Sequence, residues 1–349
     1  EHGYSTALIG KWHLGMYEGH DPLSHGFTNY YGMPFSHDEC TTDIKWTGST
    51  IPYVYGPCPI FNGNVIVKQS NMSMNYVDDI YLKKTFEYID NLKKPFYIHV
   101  GSHHTHSPQY PFDSVKSSVG RLDMFVGDII NKIDNNTILI FTSDNGASYW
   151  FGGKSGNNDP FRCSKGSTWE GGWRVPAIIY DKKNTKRSDL FMTGLDWYST
   201  ILSMAKISNE NHNDGYNFYR SLENNDVISP RTTFFFHSVK TFDSISSIGA
   251  VMAVRYHNMK YHRYTSGGVC INSDFDNRCN YNAVLSNQKK LFDLENDPGE
   301  RTDLAQNSYY KNVIKNLDEL IDDHIKNFKD EPSEIKKGLN NTGFPCANF

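Results

Sequence analysis

Short apolar runs, each stopped by a turn and separated from the next by a helical stripe, are what most constrain the fold of this chain. Residues 4–10 (YSTALIG) read as a strand ended by Gly10 and followed by a compact polar turn at 11–15. Asp78 or Asp79 caps a predicted helix whose apolar positions Ile80, Phe86, Ile89 and Leu92 recur at helical spacing until Pro95 stops it. A strand at 96–100, a helix around 121–133 and a strand at 137–143 follow. The order β, α, β marks a parallel sheet covered by helices, so the larger part of the chain is expected to be α/β. Residues 16–75, rich in Gly, Pro, Asn and aromatics with little periodicity, are expected to form a long decorated loop region.

Beyond a run at 176–180 and a predicted helix at 196–205, the pattern changes to short β-type runs at 232–237, 248–256, 261–264 and 290–294. These predict a small antiparallel sheet. Ile314, Leu317, Ile321, Ile325 and Phe328 form a helical stripe expected to pack on it. A stretch rich in Asn, Asp and Ser between 206 and 230 is the expected boundary, giving domains 1–215 and 216–349, for which 349 residues leave ample room.

Charge and cysteine usage narrow the partners. With 35 basic against 39 acidic residues the net charge is −4, which gives no attraction to nucleic acid. The longest apolar runs, 137–141 and 176–180, fall far below the ~18 residues that a transmembrane span needs. Six cysteines (Cys40, Cys58, Cys163, Cys270, Cys279, Cys346) without a C-x-x-C pair predict disulfides over a zinc ribbon or a thioredoxin-type motif. Asn-x-Ser/Thr sequons at Asn71, Asn135 and Asn340 are glycosylation candidates, and with the cysteines they predict a secretory-pathway protein, lysosomal or extracellular. A homo-oligomer is left open.

In open α/β sheets, ligands bind at the carboxyl ends of strands. That rule picks out Lys11 and His13 after the first strand, His103, His104 and His106 after the strand at 96–100, and Asp144 and Asn145 after the strand at 137–143; all are candidates for one pocket. Asp144-Asn145-Gly146 offers two oxygen donors and a sharp turn, suited to a hard divalent cation or equally to an ordinary turn. The histidines read as proton-transfer groups, as zinc ligands lacking supporting partners, or as satisfied polar residues. Lys11 by itself reads as a surface lysine.

Longer motifs separate these readings. Residues 2–15, HGYSTALIGKWHLG, resemble the sulfatase-family signature G-Y-x-T-x-x-x-G-K-W-H-L-G. The branch of arylsulfatase A and N-acetylgalactosamine-6-sulfatase is further resembled at 34–38 (PFSHD), 102–109 (SHHTHSPQ), 141–146 (FTSDNG), 162–176 (RCSKGSTWEGGWRVP) and 291–300 (LFDLENDPGE). The resemblance covers essentially the whole chain. It implies an alkaline-phosphatase-like α/β domain with a smaller C-terminal antiparallel sheet and helix. It also implies a sulfuric ester hydrolase whose nucleophile is the hydrate of formylglycine, made from a cysteine within C-x-P-S-R, and whose Ca²⁺ holds that hydrate and the sulfate.

Carried over by position, Lys11 contacts formylglycine and sulfate, His13 takes the proton that expels sulfate from the covalent intermediate, and His106 protonates the leaving oxygen. Lys165 and Ser36 bind sulfate, Asp144 and Asn145 are calcium ligands, and His262 lines the substrate. Cys163 is expected to pair with Cys270 and Cys40 with Cys58, leaving Cys279 and Cys346 as a third pair. The expected partner is a small sulfated molecule: sulfatide, a sulfated sugar or an aryl sulfate. Neither C-x-P-S-R nor the family's early Asp-Asp pair occurs in these 349 residues. Both normally precede the signature, which here starts at the third residue, so the chain is read as an N-terminally truncated sulfatase. The other readings are a sulfatase-like protein that binds sulfated glycans or lipids without turnover, and a phosphate-ester hydrolase.

Overall fold

Ser5–Gly10 forms strand β1, whose Ala7, Leu8 and Ile9 are almost wholly buried, so an apolar run as short as this can only be central to a sheet. A computed structural model of the chain describes residues 2–15, 19–37, 59–69, 77–107, 114–148, 156–181, 187–208, 214–237, 251–265, 269–270, 279–280 and 288–327. The chain divides into two compact units, one of residues up to Leu139 and one from Ile140 to Thr342.

In the first unit β1 is followed by β2 (Asn29–Gly32), β3 (Pro59–Asn62), β4 (Val65–Gln69), helix α1 (Val77–Asn91), β5 (Phe96–Gly101) and helix α2 (Val115–Lys132). The sheet order is β4-β3-β2-β1-β5. β1 runs parallel to both neighbours, pairing Ala7 with Asn29 of β2 and Ser5 with Phe96 of β5, while β3 and β4 extend the edge antiparallel. The α/β expectation holds, and one part of it needs correcting. The stretch expected to be loop contributes three strands of four or five residues, too short for a period of two to stand out from the Gly- and Asn-rich flanks.

Helix α1 forms where expected but turns a different face inward. It buries Val77, Tyr81, Thr85 and Tyr88, and leaves Ile80, Phe86 and Ile89 partly exposed. The tyrosines carry apolar rings into the interior, and the Tyr81 hydroxyl finds polar partners there, which a count of aliphatic positions overlooks. Helix α2 starts earlier than its apolar pattern, at a Ser114 cap that accepts a hydrogen bond from Ser117 N at 3.2 Å.

The second unit opens with β6 (Leu139–Thr142), followed by α3 (Glu170–Trp173), β7 (Ala177–Tyr180), α4 (Asp196–Met204), α5 (Tyr219–Asn224), β8 (Thr233–His237), β9 (Val251–Tyr256), β10 (Met259–His262), β11 (Val269–Cys270), β12 (Cys279–Asn280), β13 (Lys290–Asp293) and α6 (Lys311–Asn327). β6 pairs with β7, and β13-β10-β9-β8 form the antiparallel sheet that the β-type runs predicted. Leu317 and Ile321 of α6 pack against Val251, Val254, Tyr261 and Leu291 of that sheet, each burial worth about 1.5–3 kcal/mol. The stripe ends early, because Ile325 is exposed. Among the described residues no helix is long and apolar enough to cross a membrane.

Candidate active site

Gly10, Gly32 and Gly101 end β1, β2 and β5 side by side. A Cβ on Gly10 would sit 2.1 Å from the Gly101 carbonyl oxygen, and one on Gly32 2.1 Å from that of Gly10, so only glycine permits the strands to finish in register. Past this row Lys11 N donates to Gly101 O (2.8 Å), Trp12 N to Met33 O (3.3 Å) and His13 N to Pro34 O (2.7 Å). The Lys11–His13 turn is thereby pinned between the ends of β5 and β2. His13 takes a left-handed backbone (φ 61°) and is exposed, whereas Lys11 is partly buried.

The histidine turn after β5 is held from α1. His104 Nε2 meets Asp78 Oδ2 at 2.5 Å, both side chains being nearly buried, and His106 N donates to His103 O at 2.9 Å. Tyr81 OH accepts from Met33 N (3.3 Å) and lies 3.1 Å from His103 Nε2. Because Tyr81 is fully buried its own proton needs an acceptor, which assigns that proton to His103 Nε2 and the ring proton of His103 to Nδ1. Burial holds His103 well below the usual histidine range, and His37 and Lys11 push it the same way. The His37 ring lies 5.5 Å from those of both His103 and His106. Ser36 Oγ and His103 Nδ1 are buried and meet no hydrogen-bond partner among the described residues, as expected of atoms reserved for a polar ligand or water. The first unit therefore gathers Lys11, His13, Ser36 and His106 at one sheet edge. Asp78, Tyr81 and His37 contact the turns that carry them, and the sequence marks Asp78 only as a helix cap.

In the second unit the turn after β6 carries Asp144 and Asn145. Asn145 Nδ2 donates to Asp144 Oδ1, while Asn145 Oδ1 is buried with no partner among the described residues. A carboxylate beside an amide oxygen left unsatisfied is a donor set that fits a hard divalent cation, and these two residues would hold it. Among the described residues no group of three His, Cys, Asp or Glu could hold a metal.

The Lys165 turn packs on this one through the backbone. Lys165 N donates to Ala147 O (3.1 Å) and Gly146 N to Gly172 O (3.1 Å); a Cβ on Gly146 would lie 1.9 Å from Gly171 O. Asn158 clasps both turns, accepting from Ala147 N (2.7 Å) and donating to Ala147 O (3.0 Å) and Cys163 O (2.9 Å). No sequence signal pointed to Asn158, whose contacts are all to backbone.

His262 lies in the interior of the second unit. It is fully buried, with Thr168 Oγ1 3.2 Å from Nδ1, Glu300 Oε1 2.9 Å from Nε2 and the Trp169 ring tilted against it at 4.5 Å. Asn135 is exposed in the turn before β6, and Cys163 is buried. Cys270 lies opposite Cys279 in the β11–β12 pairing. Cys40, Cys58, Cys346, Asn71 and Asn340 lie outside the described residues.

Known proteins resemble this chain along most of its length. The family model described as Sulfatase matches residues 1–207, and the one described as C-terminal region of aryl-sulfatase matches residues 229–349. Arylsulfatase A of Bos taurus is 29% identical over 333 residues, covering 86% of this chain; the chain spans 64% of that relative's length. N-acetylgalactosamine-6-sulfatase of Canis lupus familiaris is 26% identical over 376 residues, 93% of this chain and 67% of its own. Among solved structures, the PsFucS1 sulfatase from Pseudoalteromonas sp. superposes with a TM-score of 0.75 at 22% identity, over 93% of this chain and 71% of that one.

Proposed function

This chain belongs to the sulfatase family, and from that premise we propose that it hydrolyses sulfate esters of aryl, glycolipid or glycosaminoglycan substrates as an arylsulfatase-type hydrolase. The observation that carries the reading is the Lys11–His13 turn pinned to the ends of β2 and β5, beside a histidine turn that α1 holds in place. A sulfate ester shifts negative charge onto its leaving oxygen in the transition state, so fixed cations and a positioned proton donor are the groups its cleavage requires.

In this reading Lys11 and Lys165 neutralise the sulfate, compact ammonium groups being suited to point charges, and Ser36 donates to a sulfate oxygen. His106 gives its proton to the leaving oxygen. His13 receives the proton that must leave the nucleophile side. His103, held neutral by burial, supports the turn as a hydrogen-bonding group. Asp144 and Asn145 would hold Ca²⁺, which would supply fixed positive charge to offset that of the sulfate. The C-x-P-S-R motif is not among these 349 residues, and the reading takes formylglycine, which supplies the attacking oxygen, from outside them.

The exposed Asn135 supports glycosylation and a lysosomal or extracellular destination. The burial of Cys163 supports its pairing with Cys270. Choice among sulfatide, sulfated sugars and aryl sulfates is assigned to rim segments such as 149–160, since the sulfate itself is common to all.

A leaving-group series tests the roles. With aryl sulfates of increasing phenol pKa, His106→Ala is expected to lower kcat/KM by roughly 10²- to 10⁴-fold for the poorest leaving groups and far less for the best. Lys11→Ala is expected to lose on the order of 10²-fold or more across the whole series. A His106→Ala loss that is uniform along the series would remove the proton-donor role.

A further inference from the structure

The LFDLENDPGE motif takes no part in the roles above, yet its last residue engages four groups. Glu300 is fully buried with a left-handed backbone (φ 52°). Its Oε2 accepts from Glu170 N at 2.6 Å, its Oε1 accepts from His262 Nε2 at 2.9 Å and pairs with Lys260 Nζ at 3.2 Å, and its carbonyl accepts from Arg162 Nη1 at 3.0 Å. Lys260, also fully buried, donates to Glu170 Oε1 at 2.9 Å. A carboxylate is acceptor-only, so His262 donates from Nε2 and its Nδ1 accepts from Thr168 Oγ1. The Arg162 guanidinium covers one part of the Trp169 ring at 4.0 Å, and the His262 ring lies tilted against it at 4.5 Å.

Arg162, Thr168, Trp169 and Glu170 are thus all gripped by one cluster rooted in β10 and the turn after β13, and Lys165 lies between them in the chain. Beyond Lys165, the backbone bonds to Ala147 and Gly146 carry the same segment onto the Asp144–Asn145 turn. We propose that Glu300 is a positioning residue for sulfate recognition: with Lys260 and His262 it fixes segment 162–172, and through that segment the placement of Lys165 and the Asp144–Asn145 turn. The cluster does no chemistry itself. Thr168, His262 and Glu300 line up as hydroxyl, imidazole and carboxylate, and all three are buried. A buried charge network of this kind adds little net stability over apolar packing and defines one geometry, which is what a turn presenting a lysine needs.

The inference rests on the reading of Lys165 as a sulfate ligand, and its test separates the two. In the full-length protein, Glu300→Gln keeps the shape of the side chain and removes the charge. Amide hydrogen exchange across 162–172 is expected to accelerate on the order of tenfold or more, with α6 unchanged. Competitive inhibition by inorganic sulfate and kcat/KM for an aryl sulfate are each expected to weaken by about the same factor. The charge-balanced double variant Lys260→Met/Glu300→Gln gives the same comparison if the single variant folds poorly. A lowered melting temperature with exchange across 162–172 and the sulfate inhibition constant both unchanged would overturn the proposal. Loosening of 162–172 in a protein whose native form does not bind sulfate would uphold the hold of Glu300 on the segment and overturn the sulfatase reading.

Discussion

His13, Cys163 and Glu300 share an unusual property: each holds a left-handed backbone (φ 61°, 62° and 52°) without being glycine. Such a conformation costs on the order of 1–3 kcal/mol and persists where surrounding bonds over-determine it, as the His13 N to Pro34 O, Asn158 Nδ2 to Cys163 O and Glu300 N to Asp297 O bonds do here. All three stand in motif turns. Residue chemistry also sets a pH dependence. Burial lowers the pKa of His103 and of His262, so as pH falls below about 6.5 the unfolded chain takes up these protons before the folded one. Glu300 is pushed up by burial but lowered overall by Lys260 and His262, so below its ordinary range it too favours the unfolded chain as acid is added. Stability is therefore full above about pH 6.5 and declines on acidification; melting curves between pH 8 and 5 should show it, with a shallower decline in His103→Gln. A melting temperature that rises toward pH 5 would contradict these assignments. Lys11, His13, His106, Asp144 and Asn145 were legible as site candidates because Gly and polar residues punctuate the ends of their strands. Asn158 and Glu300 were not, because their partners lie on other segments; Glu300 and Glu170 are 130 positions apart, a pairing that no local spacing encodes.

Elements were legible in proportion to the length of their pattern. β1, β5, α6 and the strands of the antiparallel sheet appear close to their expected limits, since each carries a run or stripe that only one structure can bury. β2, β3 and β4 escaped because four or five residues give two turns of the strand period at most, and pairing with β1 decides their conformation more than propensity does. The inward face of α1 escaped because Tyr81 and Tyr88 are amphipathic and count as neither polar nor aliphatic. At this scale the packing of α6 is open to test. Ile321 is fully buried against the antiparallel sheet, and Ile321→Ala is expected to destabilise the second unit by about 2–5 kcal/mol in chemical denaturation. A loss below 1 kcal/mol would mean that the helix is not anchored there.

Across the whole molecule, a net charge of −4 coexists with lysines and histidines at the turns the motifs specify, so the proposed recognition of a sulfate rests on local groups and not on the overall charge. The family matches run along both parts of the chain, and the motifs that carry the resemblance fall at strand ends and in the turns between elements, where an α/β scaffold places its chemistry. Sulfate-ester hydrolysis is the central claim, and the most direct measurement is turnover of an aryl sulfate against the matched aryl phosphate by protein purified from its source, with Ca²⁺ present. The account predicts release of inorganic sulfate with a kcat/KM well above that for phosphate; tight binding of the sulfate ester without turnover, or preference for the phosphate, would contradict it.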